Sequence, residues 1–112
     1  MTFQVESHGA VVVFRGEEPL AGDSVSQAAA TMHSSMRKGQ PLAVFDLQGV
    51  PLIDSAGLEL LAQQQDEFER NGGCLKIAGI NPLCFDILRC NGLDRRFEMY
   101  GDVKAAVGSF VR

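Results

Sequence analysis

The run PLAVFDL at residues 41–47 is apolar at every position except Asp46. A strand with one wet face alternates apolar and polar residues, so an unbroken run of this length reads as a strand buried on both faces. Such strands belong to mainly parallel sheets covered by helices. The flanking segments agree with that reading. Before the run, Val25, Ala28, Ala29, Met32 and Met36 recur at helical spacing, and that helix is expected to end near Lys38 and Gly39. After it, Leu58, Leu61, Ala62, Gln65 and Phe68 mark one face of a helix from Ser55 to about Arg70, with Gln63, Gln64, Asp66, Glu67 and Glu69 mostly elsewhere.

The remaining segments fill in the alternation. TFQVES and AVVVFR (residues 2–7 and 10–15) read as two short strands joined by a turn at His8-Gly9, and GEEPLAGDS (16–24) as a loop. Ser24 followed by Gln27 fits a capping box at the start of the first helix. Val50–Ile53 is short and extended, and Asn71-Gly72-Gly73 stops the second helix before the strand CLKIAGI at 74–80. Asn81 as N-cap with Pro82 at the first position opens a third helix that ends at Asn91-Gly92, its buried face supplied by Leu83, Cys84, Ile87 and Leu88. Phe85 is displaced from that stripe, as a contact residue or as the edge of the core. RFEMYG (96–101) reads as a short edge strand, and Asp102 opens a last helix carrying Val103, Ala106, Val107 and Phe110. The predicted order is β-β-α-β-α-β-α-β-α in one domain over residues 1–112. Its class is α/β, with a mixed, mainly parallel sheet of four to five strands flanked by about four helices.

Composition narrows the function. A net charge of −4 without a basic stripe argues against nucleic acid as a partner. The apolar run Ala10–Phe14 is far short of the ~18 residues of a membrane-spanning helix. The start MTFQVESHG has no basic segment followed by an apolar one, so a cytoplasmic location is the expectation. Cys74, Cys84 and Cys90 form no C-x-x-C and read as small buried hydrophobes, and with His8 and His33 they lack metal-site spacing. No metal and no cofactor are expected. A phosphate-cradling glycine loop is absent, as is a G-x-S-x-G elbow, and Asp46 lacks the further acidic residues a Mg²⁺-dependent phosphoacceptor needs.

The stretch VPLIDSAGLELLA (50–62) carries the main functional candidate. Ser55 stands where an extended segment gives way to a helix. The unpaired N–H groups and partial positive charge of a helix N-terminus would stabilise a phosphate there, and Ala56 and Gly57 are too small to screen the hydroxyl. Equally, Asp54 or Ser55 caps the helix, with Gly57 allowing close packing. Spacing alone favours the cap, because capping residues are common, and leaves both readings open.

Taken together, AVFDLQGVPLIDSAGLELLAQQQDEFERNGGCLKIAGINPLCFDILRCNGLDRRFEMYGDVKAAV resembles a STAS domain, the module of bacterial anti-sigma factor antagonists. The strand, the D-S-x-G-L motif, the G-x-x-L-x-I-x-G strand and the L-x-x-x-G-L helix end occur in the family's order. The resemblance implies a STAS-like mixed sheet and a non-enzymatic regulatory protein. It implies Ser55 as acceptor of a phosphate from a serine kinase that is also the anti-sigma factor, of the histidine-kinase-like ATPase type, with a serine phosphatase reversing the step. It also implies that the unmodified protein binds the kinase and that phosphorylation breaks the complex. Asp54, Ala56, Gly57, Glu59 and Gln63 are the expected contact face, with Phe85 a further candidate. Asp46 and Asp54 are expected to make the pocket negative. Where antagonists carry G-x-L-D after the second strand, this chain has GEEPLAGDS, with Asp23 as the substitute acid. The alternative is a constitutive STAS subunit seated on the ATPase of a lipid-transport ABC system, using the same face without phosphorylation.

Overall fold

The structure, a computed structural model, describes residues 3–35 and 41–110. Five strands, β1 (Gln4–His8), β2 (Val11–Arg15), β3 (Leu42–Asp46), β4 (Cys74–Ala78) and β5 (Met99–Tyr100), form one sheet in chain order. β1 is antiparallel to β2, and every other pair is parallel. The helices are α1 (Asp23–Ser35), α2 (Ser55–Arg70), α3 (Pro82–Cys90) and α4 (Val103–Gly108), with a 3₁₀ turn at Asp94–Arg96 before β5. The predicted order of elements and the mainly parallel sheet are observed.

Side-chain alternation along each strand divides the core into two layers. Phe14, Ala43, Phe45, Leu75 and Ile77 face Ala28 and Met32 of α1, Leu60, Leu61 and Phe68 of α2, and Cys84 and Leu88 of α3. Val11, Val13, Val44 and Ala78 face the other way and meet Ala106 of α4. Three helices on one side follow from parallel neighbours joined by crossovers of one hand. Burial of Ala43, Val44, Phe45 and Asp46 on consecutive positions is the reason PLAVFDL carries no alternation.

Several local expectations change. The hairpin turns at Gly9 and Ala10, one residue later than expected, with His8 still paired to Val11. α1 begins at Asp23, and the Ser24 hydroxyl points back into the loop, donating to the carbonyls of Pro19 and Ala21 and accepting from the Ala21 N–H, so no capping box forms with Gln27. Leu83 is 55% exposed, because as the second residue of α3 it lies off the Cys84–Leu88 contact line. Leu60, absent from the predicted stripe of α2, is buried. Of the three cysteines expected to be buried, Cys84 is buried, Cys74 is half-buried and Cys90 at the end of α3 is exposed. Met36, Lys38 and Gly39 lie outside the described residues.

Gln65 is 2% exposed at a position read as part of an apolar face. Its side-chain amide donates to the carbonyls of Leu75 and Arg96 and accepts from the Leu75 N–H, at 3.0, 2.7 and 3.0 Å. β5 pairs with only Ile77 and Ala78, so the amide supplies backbone partners where that short strand does not reach.

Candidate functional site

The Ser55 site stands on two segments, residues 16–22 after β2 and 47–54 after β3. These run side by side as a short parallel bridge between Leu20 and Ile53. The Leu20 N–H donates to the Leu52 carbonyl at 2.8 Å, and the Asp54 N–H donates to the Leu20 carbonyl at 3.2 Å. The two loops are thereby welded just before α2 begins.

Asp54 is the N-cap of α2, in extended conformation, and its Oδ1 accepts from the Gly57 N–H at 2.9 Å. Its Oδ2 accepts from the Gly22 N–H at 3.3 Å, tying the start of α1 to the start of α2. Gly22 meets this contact with φ +54, a backbone state that favours glycine. The capping role is thus filled by Asp54. Ser55, the first helical residue, is exposed, and among the described residues its hydroxyl has no hydrogen-bond partner. The choice left open between cap and presented hydroxyl resolves into one residue for each.

Gly57 takes the close-packing role and not the expected place in the contact face. It is buried, and a Cβ placed on it would stand 2.2 Å from the Leu20 carbonyl oxygen and 2.9 Å from Ile53 Cγ2. Its smallness accommodates the chain's own loop rather than a visiting surface. Ala56 is half-buried beside it.

Ser55, Glu59 and Gln63 are all exposed and, at steps of four residues, line one side of α2. Asp23 is exposed at the start of α1, next to the Gly22 that bonds Asp54. Phe85 lies on the outer side of α3 at 36% exposure. The first turn of α3 adjoins the same rim, since Asn81, its N-cap, donates from Nδ2 to the Val50 carbonyl at 3.1 Å. Pro51, Leu52 and Leu83 add exposed apolar surface at this rim, and the sequence reading had not placed them there.

Asp46 is not brought to Ser55. It is 4% exposed on the strand parity of Val44, toward the α4 layer, whereas α2 packs on the opposite side. Its carboxylate accepts from Arg15 Nε at 2.9 Å and from the Gln48 N–H at 3.0 Å, and Arg15 also reaches Glu6 at 2.8 Å. The expected negative pocket therefore draws on Asp54 without Asp46. No group of histidine, cysteine or acidic side chains able to hold a metal ion occurs among the described residues, and none of their helices is long and apolar enough to cross a membrane.

The family model for the STAS domain matches residues 2–106. The chain belongs to the STAS domain family. Among solved structures its fold is similar to an anti-sigma-factor antagonist (STAS) domain protein from Planctomyces limnophilus, with a TM-score of 0.85 at 22% identity over the whole of both chains. SpoIIAA, an anti-sigma factor antagonist, matches in its unphosphorylated form with a TM-score of 0.84 at 21% identity, over 97% of this chain and 96% of the other. The Bacillus protein in its phosphorylated form matches at 0.77 and 22% identity, over 99% and 100%. A sulfate transporter family protein from Wolinella succinogenes shares the fold at 0.78 and 16% identity, over 89% and 84%. No curated protein matches the sequence. At the Asp54-Ser55 corner of this STAS domain, an unengaged hydroxyl tops a helix pinned by a neighbouring loop.

Proposed function

We propose that this STAS domain is a non-enzymatic regulatory protein of the anti-sigma factor antagonist kind, cytoplasmic, and switched by reversible phosphorylation of Ser55. Its partner would be a serine kinase of the histidine-kinase-like ATPase type that doubles as the anti-sigma factor, with a serine phosphatase resetting the switch. The observation that carries the reading is the division of labour at α2: Asp54 caps the helix, leaving the Ser55 hydroxyl exposed and unengaged. The likeness to SpoIIAA, whose phosphorylated form is known, supports it.

The chemistry is electrostatic. A phosphate adds roughly −1.5 to −2 charge, and at the first residue of α2 it is stabilised by the helix N-terminus, whose first turn carries no acidic side chain. Seen from a docked partner, the same charge arrives on the side of α2 that carries the exposed Glu59. Repulsion and desolvation then release the partner without refolding. Contacts are assigned to Ser55, Asp54, Ala56, Glu59, Gln63, Asp23 and Phe85. Gly57 and Asp46 act inside the chain.

The test is phosphosite mapping of protein from its own host, followed by binding of wild type and Ser55→Asp to the purified histidine-kinase-like ATPases of that host. Phosphate on Ser55, with binding lost in Ser55→Asp, is expected. Absence of Ser55 phosphate at full peptide coverage, with equal binding by the two proteins to a transporter ATPase, would establish instead the constitutive subunit reading.

A further inference from the structure

The face of the sheet turned away from α2 is covered by α4, a helix of six residues, too short to hold its own conformation. Ala106 is its one fully buried residue, with Val103, Val107 and Phe110 half-buried over Val11, Val13, Val44 and Ala78. Into this apolar layer β4 projects Lys76, 6% exposed.

The Lys76 ammonium is engaged from several sides. It donates to Ser109 Oγ at 2.7 Å, lies 3.3 Å from Glu98 Oε1, and stands 4.1 Å from the centre of the Phe110 ring and 5.6 Å from that of Tyr100. Ser109 in turn donates to the Ala106 carbonyl at 2.6 Å. The positive charge is therefore wired through one hydroxyl to the C-terminal end of α4, the end whose carbonyls attract a cation. Two of the four partners, Ser109 and Phe110, belong to the segment that ends α4.

We propose that α4 is a displaceable strap, anchored by Lys76 through Ser109 and Phe110, over a second apolar surface on the side of the sheet remote from Ser55. Closure places the ammonium on a hydroxyl, a carboxylate and two rings. Opening returns it to water, so no charge is stranded in either state. An apolar side chain at position 76 would make opening costlier by exposing itself. A lysine lets the strap lift while the layer beneath stays paired within the sheet.

Native-state hydrogen exchange on the full chain tests this. The amides of Ala106 and Ser109 should exchange at least 100-fold faster than those of Val44 and Ile77, with little dependence on added denaturant. Ser109→Ala should speed α4 exchange about tenfold without changing β3 or β4, and that effect should shrink to twofold or less in a Lys76→Met background. Lys76→Gln serves as the same background if Lys76→Met does not fold. Exchange of α4 with the rate and denaturant slope of β3 would overturn the strap. A Ser109→Ala effect undiminished without Lys76 would overturn the anchor.

Discussion

Gln65 and Leu75 are joined by two hydrogen bonds, side-chain amide to backbone, each 3.0 Å long, so that one side chain of α2 stands in for a strand beside β4. Gln65→Leu would leave the Leu75 N–H and carbonyl buried without partners. Each such group costs roughly 1–3 kcal/mol, so a loss of about 2–6 kcal/mol is expected. Urea denaturation measures it, and a midpoint within error of wild type would show that the amide is dispensable.

Asp54 and Ser55 are neighbours with opposite stability signatures. Removing the cap by Asp54→Ala is expected to cost about 1–2 kcal/mol, because the Gly57 and Gly22 amides both lose their acceptor. Ser55→Ala should stay within about 0.5 kcal/mol of wild type, as exposed substitutions outside special features do. Thermal melts of the two variants decide the matter; equal destabilisation would place Ser55 in the cap.

A methyl group at position 57 meets the Leu20 carbonyl oxygen and Ile53 Cγ2, neither of which can move alone. Gly57→Ala should therefore destabilise the domain by about 1–3 kcal/mol, the range for overpacking a filled core, even though alanine favours helices. In NMR spectra its largest shift changes should fall on Leu20, Gly22 and Ile53, not only on α2.

The hydrogen bond from His8 and the Arg15 guanidinium hold the exposed Glu6 carboxyl below its ordinary value of 4.5. A carboxyl whose folded pKa is lowered contributes stability that is present above its unfolded pKa and is lost as pH falls through the folded one. The β1–β2 hairpin should accordingly loosen as pH drops below about 4.5, and Glu6→Gln should flatten that acid limb. A pH series of hydrogen exchange at β1 that is identical for the two proteins would remove Glu6 from the account.

Burial pushes the Cys84 thiol upward in pKa, while Cys90 is exposed. With thiolate the reactive form, iodoacetamide at neutral pH should label Cys90 first and Cys84 only on unfolding. Mass spectrometry of partly labelled protein gives the order directly.

The sequence made most of the fold legible because buried parallel strands and amphipathic helices leave opposite patterns. PLAVFDL and the Leu61–Phe68 face show both. Its silence falls where polar groups act through partners distant in the chain. Gln65 looks like a break in an apolar stripe until Leu75 and Arg96 are placed beside it. Asp46 looks like an available acid until Arg15 is found across the strand pair. At the candidate site, the motif itself was visible, and its division between Asp54 and Ser55 was not, since both residue types cap helices. The sequence does not decide between an open surface and close packing at Gly57, because Leu20, the residue that fills the space, lies 37 positions earlier on a loop with no periodic signal.

The strand order β1-β2-β3-β4-β5 has a kinetic consequence. Each strand docks against the one synthesised just before it, and each crossover helix closes over the newest pair. A ribosome can thus extrude this sheet as a growing edge, with no early strand held open for a late one to insert. The exposed margin travels along the molecule during synthesis, and β5 with α4 ends that journey.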